Sequence, residues 1–329
     1  MSALIVADRL RRSFTVSHRA GFLRRRRTEV VAVDAVSFTV DRGEAVGYVG
    51  PNGAGKSTTI KMLTGILTPS AGGATVCGLD PAKQRRALAA RIGVVFGQRS
   101  QLWWDLPLSE SFELLRSIYR VPKDDYRERL EECVELLELT PFLATPVRQL
   151  SLGQRMRGEV TAALLHDPEL LVLDEPTIGL DLESKERLRA FLADLNQRGT
   201  TLLLTTHDLD DIERLCGRLM VIDHGRVLAD GPLGELRAEV VTERTLVVDL
   251  TEPHPPLTGL PGVREVRTEL DGLRQHLVFG RSDTTAAALI SALVDRVAVH
   301  DVTVAEPEIE ELIRRLYKRS SSPDAMTDL

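Results

Sequence analysis

Gly50-Pro51-Asn52-Gly53-Ala54-Gly55-Lys56-Ser57 has the form G-x-x-x-x-G-K-[ST], and the residues on either side of it decide the fold. Before it, Glu44 to Val49 reads as a strand; after it, from Ser57, residues Ile60, Leu63 and Leu67 fall on one side of a helix. A glycine-rich turn in that setting points its backbone N–H groups inward, and the helix adds the positive end of its dipole. The pattern predicts a phosphate cradle spanning Gly50 to Thr58. Lys56 would hold the β- and γ-phosphates of a nucleotide and Ser57 would ligate Mg²⁺. Such a string arises by chance in roughly one per cent of chains this long, before the flanking strand and helix are considered.

Leu170-Leu171-Val172-Leu173-Asp174-Glu175 is an apolar run ending in two acids. It predicts a buried strand whose C-terminal edge delivers carboxylates to a site. Asp174 would bind the Mg²⁺, directly or through water, and Glu175 would polarise the attacking water as general base. Acids at a strand end are usually only a solvated turn. Beside a phosphate-binding loop, the chemical reading takes precedence.

Outward from these two motifs, strands and helices alternate. Leu4–Phe14 and Val30–Val40 read as strands, separated by a polar segment, His18–Arg27, that ends in Arg24-Arg25-Arg26-Arg27. A short strand is predicted at Gly93–Phe96, and a mostly helical stretch from about 100 to 166, with Asp124 or Asp125 capping its second helix. Strand and helix then alternate to Ile222, which implies a largely parallel sheet with helices on both faces. After about 240 the composition shifts towards a small α+β domain, 241–319, with a turn at Asp271-Gly272 and a tail at 320–329.

The bulk properties narrow the class. The chain has 329 residues, with 43% hydrophobic and 27% charged residues and a net charge of −6. An acidic balance argues against a dedicated nucleic-acid binder, and no apolar run is long enough to span a bilayer. The first residues lack the basic start and apolar core of a signal peptide. Cys77, Cys133 and Cys216 fit neither a disulfide framework nor a zinc site, so a reducing cytoplasm is expected.

Leu150-Ser151-Leu152-Gly153-Gln154 adds a third motif: Ser151 is placed to cap a helix whose N-terminal end attracts anions. Together with the glycine loop and the paired acids it resembles the signature sequence of ABC-type ATPases, over about Leu4 to Leu236. Members usually carry a second glycine where this chain has Leu152. The resemblance implies a P-loop ATPase fold of ABC type, with a mostly parallel sheet core, an antiparallel β subdomain and a helical subdomain, followed here by the small C-terminal domain. It also assigns further residues. Gln98 is similar to the glutamine that joins the metal site to the helical subdomain. Asp181 is similar to the residue that meets the opposite subunit, and His207 to the switch histidine at the γ-phosphate. Phe14 resembles the aromatic that stacks on adenine, with a core-facing strand phenylalanine as the alternative.

The resemblance further implies a head-to-tail homodimer with two sandwiched ATP molecules. Each ATP would meet Lys56, Ser57, Gln98, Asp174, Glu175 and His207 of one chain and Ser151, Gly153 and Gln154 of the other. Three readings of the purpose remain: a transporter subunit with separate integral membrane permeases, a soluble ATPase acting on ribosomes or DNA, or one serving cluster assembly. Gly97-Gln98-Arg99-Ser100-Gln101-Leu102-Trp103-Trp104-Asp105-Leu106-Pro107 looks like a subgroup of ABC-2-type exporter ATPases served by two different permeases, viologen-type exporters among them. That favours transport, with the chain peripheral on the inner face of the cell membrane and with no nucleic-acid partner. Trp103 and Trp104 either pack internally or line the groove for a permease helix, and Arg24–Arg27 is either a solvated loop or a contact for anionic lipid.

Overall fold

The computed structural model describes residues 3–19, 25–97, 100–240, 243–280, 282–305 and 309–321. They form two compact units that divide between Leu233 and Gly234, rather than at the expected 240, because the last strand of the first unit ends at Pro232.

The first unit carries two sheets. Strands β1 (Ala3–Arg19) and β2 (Arg25–Asp41) form an antiparallel ladder, to which β4 (Ala71–Val76) adds on the other side of β1. The basic segment expected as a loop instead continues this ladder, with His18 opposite Arg26 and Arg19 opposite Arg25. Residues 20–24, Arg24 among them, lie outside the described residues.

The second sheet has the order β5-β6-β7-β3-β8-β9, from β3 (Ala45–Val49), β5 (Ile92–Phe96), β6 (Leu170–Asp174), β7 (Thr201–Thr205), β8 (Arg218–Asp223) and β9 (Arg226–Pro232). All neighbours are parallel except β8 and β9. Central parallel strands are covered on both faces, so they read as unbroken apolar runs; β3 and β7 are buried at every position. Helices α1 (Lys56–Leu63) and α2 (Arg85–Ala89) follow β3 and β4. Leu67 lies beyond α1, which ends at Thr64 ahead of the left-handed Gly65. Between the two sheets a single core gathers Leu4, Ile5, Leu10, Val33, Phe38, Tyr48, Ile60 and Leu88.

The helical stretch comprises α3 (Leu108–Tyr119), α4 (Lys123–Leu136) and α5 (Leu152–Leu164). Pro122 precedes α4, and Asp124 and Asp125 sit in its first turn without capping it. There their charge still favours the helix dipole. Helices α6 (Leu182–Gln197) and α7 (Leu209–Leu215) complete the strand–helix alternation.

The second unit begins with α8 (Leu233–Val240) at the boundary. Its sheet is antiparallel, in the order β11-β12-β10-β13, from β10 (Glu243–Leu250), β11 (Val263–Glu269), β12 (Arg274–Gly280) and β13 (Val299–Ala305). Leu246, Val248, Leu277 and Phe279 pack with Leu289 and Leu293 of α9 (Ala286–Val294). Asp271 and Gly272, both at positive φ, make the turn between β11 and β12. The last helix, α10 (Ile309–Ser321), runs past the expected start of the tail; 322–329 lie outside the described residues.

Candidate nucleotide site

The C-terminal ends of the central strands finish level. Phe96 of β5 lies opposite Asp174 of β6, and Asp174 opposite Thr205 of β7. Everything that follows these strands therefore reaches one edge of the sheet. The glycine loop leaves β3 there and enters α1 at Lys56. Gly55 has φ +108, and a Cβ on it would stand 2.5 Å from the Ala32 carbonyl of β2. No other residue fits that turn without moving the backbone. Helix α1 has no side-chain cap, so its first N–H groups face the loop it encloses.

Lys56 is 7% exposed, and its ammonium donates to the carbonyls of Gly50 and, at 3.2 Å, Pro51. Burial lowers its pKa, while the Glu175 and Asp174 carboxylates act the other way. A partly dehydrated ammonium of this kind interacts strongly with a phosphate. Beneath it, Thr59 bonds the Gly55 carbonyl and takes a hydrogen bond from Tyr48, a brace that motif reading does not reveal.

Asp174 accepts a hydrogen bond from the Thr205 hydroxyl across the β6–β7 ladder. Glu175, next in the chain, has φ +58, a left-handed conformation costly for a side chain of its size. Its N–H is held by the Thr205 carbonyl at 2.8 Å. The turn brings its carboxylate 2.9 Å from Nε2 of His207, which follows β7 and is about half exposed. A cavity of about 270 Å³ is lined by Asn52, Ser57, Lys61, Asp174, Glu175 and Ile178. The Ser57 hydroxyl and two carboxylates in one cavity are the hard oxygen donors that Mg²⁺ requires. Lys61, one turn along α1 from Ser57, joins them and was not foreseen.

Other expected site residues stand apart from this cavity. Ser151 caps α5: its hydroxyl accepts the Gln154 N–H at 3.2 Å, and the Gln154 side chain accepts the Ser151 N–H at 2.9 Å. Gly153 packs against Leu180 and Ser184, and Leu152 lies over Gly179. Asp181 is the N-cap of α6, accepting the Ser184 N–H at 2.8 Å. None of these residues lines the cavity. Phe14 is 37% exposed beneath the Arg12 guanidinium, so the core-facing alternative fails. It pairs with Val30, two residues along β2 from the Ala32 carbonyl that faces Gly55. Gln98 lies outside the described residues.

Trp103 and Trp104 are 38% and 54% exposed, so Trp104 presents about half of its surface to solvent while Trp103 is mostly covered. Trp104 borders a small cavity with Phe96, Arg155 and Glu159. Glu159 of α5 is 4% exposed and accepts hydrogen bonds from the Ser100 hydroxyl and, at 3.1 Å, the Gln101 N–H. Burial raises its pKa against those hydrogen bonds.

Comparison with known proteins agrees with this geometry. The ABC transporter family model matches residues 33–178, from within β2 to just past the acids at the end of β6. The Bacillus subtilis linearmycin resistance ATP-binding protein LnrL is 30% identical over 88% of this chain and 94% of its own length. The ATP-binding protein NatA of the same organism is 34% identical over 63% of this chain and 84% of its length. This chain belongs to the ABC transporter family. The Nod factor export ATP-binding protein I of Ralstonia nicotianae is 42% identical over 65% of this chain, which spans 66% of that protein. Among solved structures, an ATP-binding subunit of an ABC transporter superposes with a TM-score of 0.62 at 28% identity, over 72% of this chain and 92% of its own. A dimeric post-hydrolysis cassette bound to ADP and Pi gives 0.59 at 27% identity, over 70% and 98%. As an ABC ATPase the chain binds ATP with Mg²⁺ and hydrolyses it. Among the described residues, no helix is long and apolar enough to cross a membrane, and no group of side chains could form a His, Cys, Asp or Glu metal cluster.

Proposed function

We propose that this ABC ATPase powers an exporter, closing as a head-to-tail homodimer to drive separate membrane-embedded permease subunits. One observation carries the pairing. Lys56, Ser57, Asp174, Glu175 and His207 converge at one sheet edge, whereas Ser151 and Gly153 stand outside the cavity there. Their capped helix terminus keeps the positive dipole end and the N–H groups of Leu152 and Gly153 for a phosphate held by a second chain.

In this arrangement Lys56 and the loop N–H groups hold the β- and γ-phosphates, and Phe14 stacks on the base. Ser57 and Asp174 would hold Mg²⁺, with Gln98 as a further contact, and the bound ion would supply positive charge to offset the negative charge developing on the phosphate. Glu175 takes a proton from the attacking water, and His207, whose Nε2 stands 2.9 Å from that carboxylate, meets the γ-phosphate. Closure is then a two-state change biased by γ-phosphate contacts, and hydrolysis reverses it.

Export is supported by relatives whose names specify Nod factor export and linearmycin resistance, the second matched through both units. A further structural neighbour, cbiO1 from Clostridium perfringens, is described as part of the ABC transporter complex cbiONQ. We assign Trp104 and the adjoining cavity to the groove that receives a permease's cytoplasmic helix, with two different permeases expected and the chain peripheral on the inner membrane face. In the assembled complex, Trp104→Ala should lower substrate-stimulated ATPase about tenfold while ATP binding stays within about twofold. Equal losses in both would refute the coupling role.

A further inference from the structure

Asp211 looks in the sequence like an ordinary acid in the first turn of a helix. It lies in α7 and has no solvent exposure. One of its carboxylate oxygens, Oδ2, accepts hydrogen bonds from two threonine hydroxyls, those of Thr177 and, at 3.0 Å, Thr206. The other, Oδ1, accepts from the guanidinium of Arg189 at 2.6 Å. Arg189, on α6, is itself 5% exposed and also reaches Asp208 at 3.2 Å. Burial works most strongly against the charge on Arg189, but the hydrogen bonds and attraction of Asp211, Glu186 and Asp208 together outweigh it, so its pKa is raised.

A buried ion pair of this kind is a weak source of stability, because desolvation offsets most of the attraction. What it supplies here is geometry. Thr177 stands two residues after Glu175, and Thr206 immediately precedes His207. The segments that carry the two members of the 2.9 Å Glu175–His207 contact are thus tied to a single oxygen atom. Arg189 fixes that carboxylate from α6, whose N-cap is Asp181. Glu175 is in a left-handed conformation that its local sequence does not favour, so something nearby must hold it.

We infer that Asp211 is a positioning residue for ATP hydrolysis, holding Glu175 and His207 in register through the hydroxyls of Thr177 and Thr206. The inference rests on the assignment of Glu175 and His207 to the hydrolytic step. It separates two properties that a packing role would keep together. Thr206→Val and Thr177→Val keep the side-chain shape and lose the hydroxyl; Thr206→Ser and Thr177→Ser keep the hydroxyl and lose the methyl group. Each valine variant should lower kcat about tenfold or more, a loss expected when a reacting group is misplaced by a fraction of an ångström, with KM for ATP within about twofold. Each serine variant should stay within about twofold of the parent. Asp211→Asn should behave as the valine variants do, and if it fails to fold the threonine series still decides. Glu175→Gln is measured in parallel. If it is inactive while the valine variants run at the parental rate, the positioning role is wrong and the site reading stands. If Glu175→Gln itself hydrolyses normally, the site reading and this inference fall together. Serine variants as impaired as the valine ones would reduce the network to packing.

Discussion

The two halves of the proposed nucleotide site are built differently. The hydrolytic half is assembled by tertiary structure. Its loop, acids and histidine leave three neighbouring parallel strands, and contacts such as Thr205 to Asp174 and Glu175 to His207 bind those segments together. The signature half is a local device. Ser151 and Gln154 satisfy each other's backbone within one helical turn, and Gly153 and Leu152 rest on the segment before α6. The first half gathers the loop lysine, the two acids and the histidine within one chain. The second is a capped helix terminus outside the first half's cavity, and in the proposed homodimer the two would meet through a second copy.

The largest effect that separates them falls on Glu175. Glu175→Gln should cut hydrolysis by about a thousandfold, the scale of a lost general base, while retaining ATP binding and promoting dimers with ATP and Mg²⁺. Normal turnover would show that another group activates the water. A smaller effect belongs to Ser151. Ser151→Ala removes the cap of α5 and a contact to the partner's nucleotide. Losing the cap costs about 1 kcal/mol, so ATP-driven dimerisation should weaken about fivefold to tenfold while monomeric ATP affinity is unchanged. A loss of monomer affinity in an equilibrium titration would place Ser151 in the same half as Lys56. The smallest is expected at Leu152, where Leu152→Gly restores the residue usual in the family. It exposes Gly179, whose φ of +68 the leucine covers, and costs about 1 kcal/mol in thermal unfolding through helix entropy. Turnover should stay within about twofold, and a collapse of activity would mean that Leu152 has a direct part in the site.

The same contrast explains what was legible beforehand. The glycine loop, Asp174 and Ser151 were readable because each ends or begins an element with a strong local signal: the apolar runs of β3 and β6, and a Ser-x-x-Gln helix start. Contacts between distant segments carry no such signal. The Glu175–His207 pair, the burial of Asp211 and the approach of Lys61 to the acids all depend on how strands line up. Strand β4 was missed because Ala71-Gly72-Gly73-Ala74 has little strand preference of its own and is extended by pairing with β1. The basic segment differs for the opposite reason: its charge suggests a loop, while the β1–β2 ladder extends into its described ends, as far as Arg19 opposite Arg25. In the second unit, Gln275 is buried with its amide on the His254 carbonyl and the Leu257 N–H, anchoring a proline-rich stretch that composition marked only as loose.

The central claim is that each working site takes its two halves from different chains. Mixing Lys56→Ala with Gly153→Asp tests it most directly. Each variant alone spoils both sites of its homodimer and should be inactive. Random pairing makes half the dimers mixed, each with one intact site, so the mixture should recover about one quarter of the parental ATPase rate. A mixture as inactive as its components would contradict the account, because halves that work within one chain cannot rescue each other.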